Sequence, residues 1–288
     1  MDTSVMITLG FLIFAIVMFA WEKIPLSITA MVVAVGLHLS GVLSAKEAFA
    51  GFVDPNVLLF MGMFVIGEAF FATGVAVGVG NVVHKFAKTE TSLLVAVMMI
   101  TGILSGFLSN TGTAAVLIPV IIGICKKSGF KQTKLLMPLV FAAAMGGNIS
   151  LIGAPGNMIA QAGLQQAGLG SFNFFDYGLV GLPILIVGTI FYATIGKRFL
   201  PDAPSHQPDG AFEGNDDYSH VPSWKKWTAA IILILTVVAM IFEKQLGVKL
   251  YVSAWIGALV LVATNVISET AAVKSIDMKT IMLFAGSM

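Results

Sequence analysis

Charge is what this sequence has least of. Asp, Glu, Lys and Arg make up 11% of its 288 residues, against about 25% in a soluble domain. So few polar side chains cannot clothe a water-soluble surface of this size, so a soluble globular fold is excluded and lipid is the solvent that fits. The formal net charge of +1 leaves no electrostatic grip on nucleic acid. A single cysteine, Cys125, rules out an internal disulfide and a cysteine-rich metal site, and it reads as packing in an apolar helix. His84, His206 and His220 lie in loops without metal-ligand spacing, and His38 reads as a helix-contact residue. A paired-Asp motif, a Gly-x-Ser-x-Gly elbow and a His-Glu-x-x-His helix are all missing, so the chain is read as no enzyme.

Long apolar runs are what it does have. Hydrophobic residues make up 57% of the chain, and its mean hydropathy is +0.94. About 20 apolar residues cross a bilayer, and the segments 4–21, 24–43, 56–80, 178–196, 227–242 and 250–267 meet that pattern, with a further one starting near 279. Two uncharged stretches, 91–125 and 135–175, are too long for one crossing. As a straight helix the first would measure roughly 50 Å, against a hydrocarbon core of about 30 Å. Each must fold back or break, and each carries small polar residues near its middle.

Cationic residues prefer the cytoplasmic face. If 91–125 is a re-entrant hairpin, Lys85 and Lys88 before it join Lys126, Lys127, Lys131 and Lys134 after it on that face. Lys23, Lys197, Arg198, Lys225, Lys226, Lys274 and Lys279 follow, leaving Lys46, Lys244 and Lys249 outside. The Pro-, Asp- and Gly-rich stretch 199–224 reads as a cytoplasmic linker. Across it lies a repeat: 26–64 aligns with 250–288 without a gap, pairing Ala30 with Ala254, Leu37 with Leu261, Ser44 with Ser268, Phe60 with Phe284 and Gly62 with Gly286. The charge tracing starts the two copies on opposite sides, as in the inverted repeats of transporters. The expected fold is therefore an all-α integral membrane protein of inverted-topology repeats. Residues 1–198 form a first repeat, comprising scaffold helices over 4–80, a re-entrant helical hairpin over 91–125, a broken transmembrane helix over 135–166 and a helix over 178–196. Residues 225–288 begin a second repeat, read as truncated at Met288, with the chain either a fragment or completed by another polypeptide.

The first candidate site is Ser105-Gly106-Phe107-Leu108-Ser109-Asn110-Thr111-Gly112-Thr113, at the turn of the hairpin. Backbone that leaves the helix at membrane depth must line a cavity or be buried in protein. Such a break exposes carbonyls that suit a cation and N–H groups that suit an anion, and Ser and Asn side chains add hard oxygens. The second is Gly146-Gly147-Asn148-Ile149-Ser150-Leu151-Ile152-Gly153-Ala154-Pro155-Gly156-Asn157, where Gly-Ala-Pro-Gly should interrupt a helix. Glu68, mid-span in 56–80, is a candidate proton site or a hydrogen-bonded structural acid.

Together, Ser109-Asn110-Thr111 with Thr113-Ala114-Ala115, and Gly146-Gly147 with Leu151-Ile152-Gly153-Ala154-Pro155-Gly156-Asn157, resemble the divalent anion:Na⁺ symporter family. That resemblance implies Na⁺-coupled symport of a di- or tricarboxylate or sulfate by elevator-like alternating access. It implies Na⁺ held by Ser105, Ser109, Asn110 and the Gly153 carbonyl, and an anionic substrate touched by Asn110 and Thr111 with Ala154 and Pro155 nearby. It also implies a homodimer, and it places the chain as a multi-pass protein of the cell inner (plasma) membrane. Two positions depart from the family pattern: Ala154 stands where the family carries Thr or Ser, and Gly156 where it carries a second proline. A proton-coupled or arsenite-type relative is the alternative, kept open by Glu68 and Ala154; a non-transporting membrane fragment is another.

Overall fold

The computed structural model describes residues 3–21, 23–76, 78, 89–200 and 218–287. Its helices are α1 (Thr3–Trp21), α2 (Leu26–Leu39), α3 (Ala45–Ala48), α4 (Pro55–Ala72), α5 (Glu90–Ser105), α6 (Asn110–Ser128), α7 (Thr133–Gly146), α8 (Pro155–Gln166), α9 (Gly178–Thr194), α10 (Ser223–Ile241), α11 (Glu243–Leu246), α12 (Leu250–Ala263), α13 (Glu269–Ser275) and α14 (Met278–Ser287). Three of them, α1, α4 and α10, are long and apolar enough to cross a membrane. In α1 only Met18 is buried, and Met6, Leu12, Ile13 and Ile16 are exposed, as suits a helix whose solvent is lipid.

The apolar interior is divided in two. One cluster gathers α4, α10, α12 and α14, with Ile66, Leu59, Leu233, Leu261 and Phe284 at its centre. The other joins α5, α6, α7 and α9 through Leu93, Met98, Ile121, Leu139 and Leu185, and Cys125 is buried within it. Contacts within each cluster are extensive, whereas α4 and α14 meet α8, and α4 meets α6, only along a thin seam. Leu108 of the α5–α6 bend and Leu151, Ile152 and Met158 of the α7–α8 break reach across into the first cluster.

Positions at the 224-residue offset share local geometry. After α2, Gly41 has φ +75°; after α12, Asn265 has φ +55° and is the one non-glycine with positive φ among the described residues. Both turns close on the same carbonyl pair, with Val42 N donating to Leu37 O at 3.1 Å and Val266 N to Leu261 O at 3.0 Å. Ser44 caps α3 through Glu47 N and Ser268 caps α13 through Ala271 N. In packing, α2 lies on α14 as α4 lies on α12. A Cβ on Gly62 would press on Ala254, and one on Gly286 on Ala30. Phe60 and Phe284 meet each other, ring centroids 5.7 Å apart.

Some boundaries differ from the sequence reading. The 56–80 run is no single rod: α4 stops at Ala72 because Thr73 Oγ1 turns back to Ala69 O at 2.7 Å and Gly74 takes φ +75°. The 135–175 stretch is two helices, α7 and α8, separated by 147–154, and α5 and α6 are separated by 106–109. Lys85, Lys88, His84, His206 and most of the 199–224 linker lie outside the described residues. His38 Nδ1 lies 3.1 Å from Leu43 O, a contact that ties down the turn after α2.

Candidate functional site

Glycines make the two helix interruptions possible side by side. A Cβ on Gly146 would fall 2.1 Å from Gly102 O, and one on Gly153 would fall 2.5 Å from Gly147 O and 3.0 Å from Gly106 O. Gly181 of α9 similarly admits the carbonyl of Asn148. At these positions backbone packs against backbone, so only a residue without a side chain fits.

The loosened backbone is then satisfied by side chains. Asn157, buried, donates through Nδ2 to Gly147 O and to Ser150 O, both at 2.9 Å. Its own carbonyl accepts from Tyr177 Oη at 2.8 Å. Ser150 Oγ donates to Gly106 O, joining one interruption to the other. Leu151 N donates to Phe174 O at 2.9 Å. Ser109 caps α6 by accepting from Gly112 N at 3.1 Å.

At the centre is the carboxamide of Asn110. Its inner end lies 2.6 Å from Ser105 Oγ, 3.1 Å from Ala143 O and 3.2 Å from Gly153 O. Ser105, fully buried, also has Oγ 2.7 Å from Ala143 O. With Oδ1 inward, four oxygens converge and Ser105 Oγ brings the single proton among them. That set fits a hard cation, which prefers oxygen ligands of this kind. With Nδ2 inward, the amide donates to the same oxygens instead. Among the described residues there is no cluster of three or more His, Cys, Asp or Glu able to hold a metal.

Beside this point opens a cavity of about 360 Å³, lined by Ser109, Asn110, Thr111, Gly112, Gly153 and Pro155, by Phe60, Met63 and Phe64 of α4, and by Ser275, Asp277 and Thr280. Among the described residues its lining holds no Lys or Arg. What it offers an anion are the N-terminal turns of α6 and α8, the partially positive ends of those helices. The Asp277 carboxylate is engaged by Lys279 N at 3.1 Å and Thr280 Oγ1 at 2.6 Å.

Of the residues singled out in the sequence, Ser105, Asn110 and Gly153 come together at one point, while Ser109, Thr111 and Pro155 line the adjoining cavity. Ser109 Oγ serves as a helix cap, and Ala154 is the residue preceding α8. Glu68 stands apart on α4, half-buried and without a hydrogen bond or ion pair among the described residues, one turn from the cavity-lining Phe64. Sequence reasoning assigned no role to the Ala143 carbonyl or to Ser150, Asn157 and Tyr177. A backbone carbonyl has no residue-type signature, but the carboxamide following Gly153-Ala154-Pro155-Gly156 was a visible sign.

Known proteins carry the same arrangement of sequence. The chain is 33% identical over 211 residues to the uncharacterized transporter YfbS of Escherichia coli, covering 73% of this chain and 35% of that protein. It is 26% identical over 194 residues to the sodium-dependent dicarboxylate transporter SdcS of Staphylococcus saprophyticus, covering 62% of this chain and 37% of that protein. It is 26% identical over 205 residues to sodium/sulfate cotransporter 1 of Chlamydomonas reinhardtii, covering 68% of this chain and 23% of that protein. The chain spans roughly a third of the length of curated relatives that are 30–33% identical to it. A family model described as citrate transporter matches residues 16–288, a stretch that takes in both helix interruptions and the oxygens around Asn110. The chain therefore belongs to the citrate transporter family.

Proposed function

We propose that this chain supplies the first half of the transport site of a Na⁺-coupled symporter for a small divalent or carboxylate-type anion such as sulfate, a dicarboxylate or a tricarboxylate. The observation that carries the reading is the convergence of Ser105 Oγ, Ala143 O, Gly153 O and the Asn110 carboxamide at two facing helix interruptions, beside a cavity bounded by two helix N-termini. Na⁺ is cargo at the oxygen cluster, held by Ser105, Asn110 and the Ala143 and Gly153 carbonyls. The anion occupies the cavity, held by the first turns of α6 and α8 through Asn110, Thr111, Ala154 and Pro155, with the cation as its counter-charge. On this reading 91–125 is a re-entrant hairpin, 26–64 and 250–288 are inverted-topology copies, and the protein spans the inner membrane many times as a homodimer. The α5–α6–α7–α9 cluster travels against the α4–α10–α12–α14 cluster in an elevator-like cycle, which the thin seam between them supports.

The test is uptake of sulfate, succinate or citrate into proteoliposomes by the full-length transporter under an imposed Na⁺ gradient. Wild-type uptake is expected to need Na⁺, and Asn110→Ala to abolish it; undiminished uptake by that variant refutes the site. One observation favours a second reading, proton coupling: Glu68 is an acidic residue well inside a long apolar helix, and it has no partner among the described residues. Uptake that ignores Na⁺, collapses with a protonophore and fails in Glu68→Gln selects it.

A further inference from the structure

A primary carboxamide has two ends of almost the same shape and opposite hydrogen-bonding character, an acceptor oxygen and a donor nitrogen. At Asn110 both placements have a physical rationale in the same site. With Oδ1 inward, Ser105 Oγ donates to it at 2.6 Å. The Ala143 and Gly153 carbonyls then face another oxygen with no proton between them, an arrangement that a cation among them relieves. With Nδ2 inward, the amide donates to Gly153 O at 3.2 Å and lies 3.1 Å from Ala143 O and 2.6 Å from Ser105 Oγ. That arrangement is satisfied without a cation. The other end of the amide is on the cavity side, since Asn110 is half-exposed and lines the cavity. Room to turn is provided by Gly147: a Cβ there would stand 2.7 Å from Oδ1 and 2.8 Å from Nδ2, against both ends alike.

We infer that the Asn110 carboxamide is the switch that couples the cation to the anion, turning end for end as the cation enters. Resting on the Na⁺-symport reading above, this deepens it by giving the order of binding a structural cause. Without the cation, Nδ2 points inward and Oδ1 faces the cavity, where it repels an anion. With the cation, Oδ1 is drawn inward as a ligand and the Nδ2 donors swing to the cavity, where they hold a carboxylate or sulfate oxygen. No covalent bond changes and no proton is exchanged; one side-chain dihedral moves. The cation thus acts on the anion through a reversed dipole as well as through its charge.

The test is binding linkage, read by the melting temperature of the purified full-length transporter in NaCl against choline chloride, titrated with sulfate and with succinate. In the wild type, saturating Na⁺ is expected to tighten anion binding by at least about tenfold, within the ordinary range of coupling between sites. Asn110→Asp offers an oxygen at both ends. It should still be stabilised by Na⁺, with sulfate or succinate adding nothing to the Na⁺-loaded form. Asn110→Thr is neutral and has a single polar atom. Its anion affinity should differ by less than about threefold between choline and Na⁺, which separates dipole reversal from added charge. Ser105→Ala, which removes a ligand and leaves the amide ambident, should weaken Na⁺ binding and keep the tenfold coupling. Wild-type coupling retained in either Asn110 variant overturns the switch, and either variant suffices should the other fail to fold. A wild type with no Na⁺-dependent stabilisation overturns the symport reading itself, a result distinct from loss of the switch alone.

Discussion

Ala154 is where this chain parts from the hydroxyl-bearing pattern its motifs resemble, and it sits directly before α8 with extended backbone, φ −143° and ψ 144°. A threonine accepts such a backbone readily, and its hydroxyl at the head of α8 can add one hydrogen bond to an anion in the cavity. A hydrogen bond is worth about 0.5–1.5 kcal/mol net, so Ala154→Thr is expected to tighten succinate binding by about two- to tenfold. Competition against sulfate in the full-length transporter measures it, and no change would place position 154 outside the anion's reach. At this scale the glycines work by subtraction. Gly146, Gly147 and Gly153 each stand where a methyl group would strike backbone or the Asn110 amide, so the site is shaped as much by missing side chains as by those present.

At the scale of elements, the α7–α8 interruption holds its form because Asn157 occupies two of the carbonyls that helix would otherwise have used. Asn157→Ala leaves Gly147 O and Ser150 O without that donor in a dry interior, at about 1–3 kcal/mol for each unsatisfied group. The expected result is a lower melting temperature together with weaker Na⁺ binding, because Gly153 lies in the same segment; Tyr177→Phe, which frees only the Asn157 carbonyl, should do the same to a smaller degree. The sequence made these interruptions legible. Uncharged runs too long for one crossing, each with Gly, Ser and Asn near the middle, announced a break near Asn110 and another near Gly153, and α5, α6, α7 and α8 stop and start there. What stayed hidden has two physical sources. Ala143 contributes a backbone carbonyl, so its residue type carries no signal. Ser109 has a hydroxyl suited equally to a cation and to a helix N-cap, and in the structure its Oγ accepts from Gly112 N at 3.1 Å. The 56–80 run looked like one span because hydropathy does not register Thr73-Gly74, whose hydroxyl and left-handed backbone end α4.

For the whole molecule, the elevator-like reading rests on the division of the apolar interior into two clusters. Across the seam, Asn56 Nδ2 reaches Gln165 Oε1 at 3.5 Å and Lys244 Nζ donates to Asn173 Oδ1 at 2.8 Å, each linking α4 or α11 to the α8–α9 region. If the clusters slide past each other during transport, these links must part. Cysteines at positions 56 and 165 in a Cys125→Ala background, joined by a short thiol-reactive linker, are expected to cut Na⁺-driven uptake by at least about tenfold, with recovery on reduction. Full-rate uptake with the linker in place would show that this part of the seam stays closed throughout the cycle.

That the described lining of the cavity carries no Lys or Arg also bears on the electrical account of a transport cycle. A binding pocket with a permanent positive charge would drag it through low dielectric on every empty return, at a steep desolvation cost. On the symport reading proposed above, positive charge arrives with the cation and departs with it, and the fixed part of the attraction is spread over peptide dipoles. On the symport reading, an empty return of this half-site carries no fixed cation, and the formal charge in the described lining is that of the hydrogen-bonded Asp277 carboxylate.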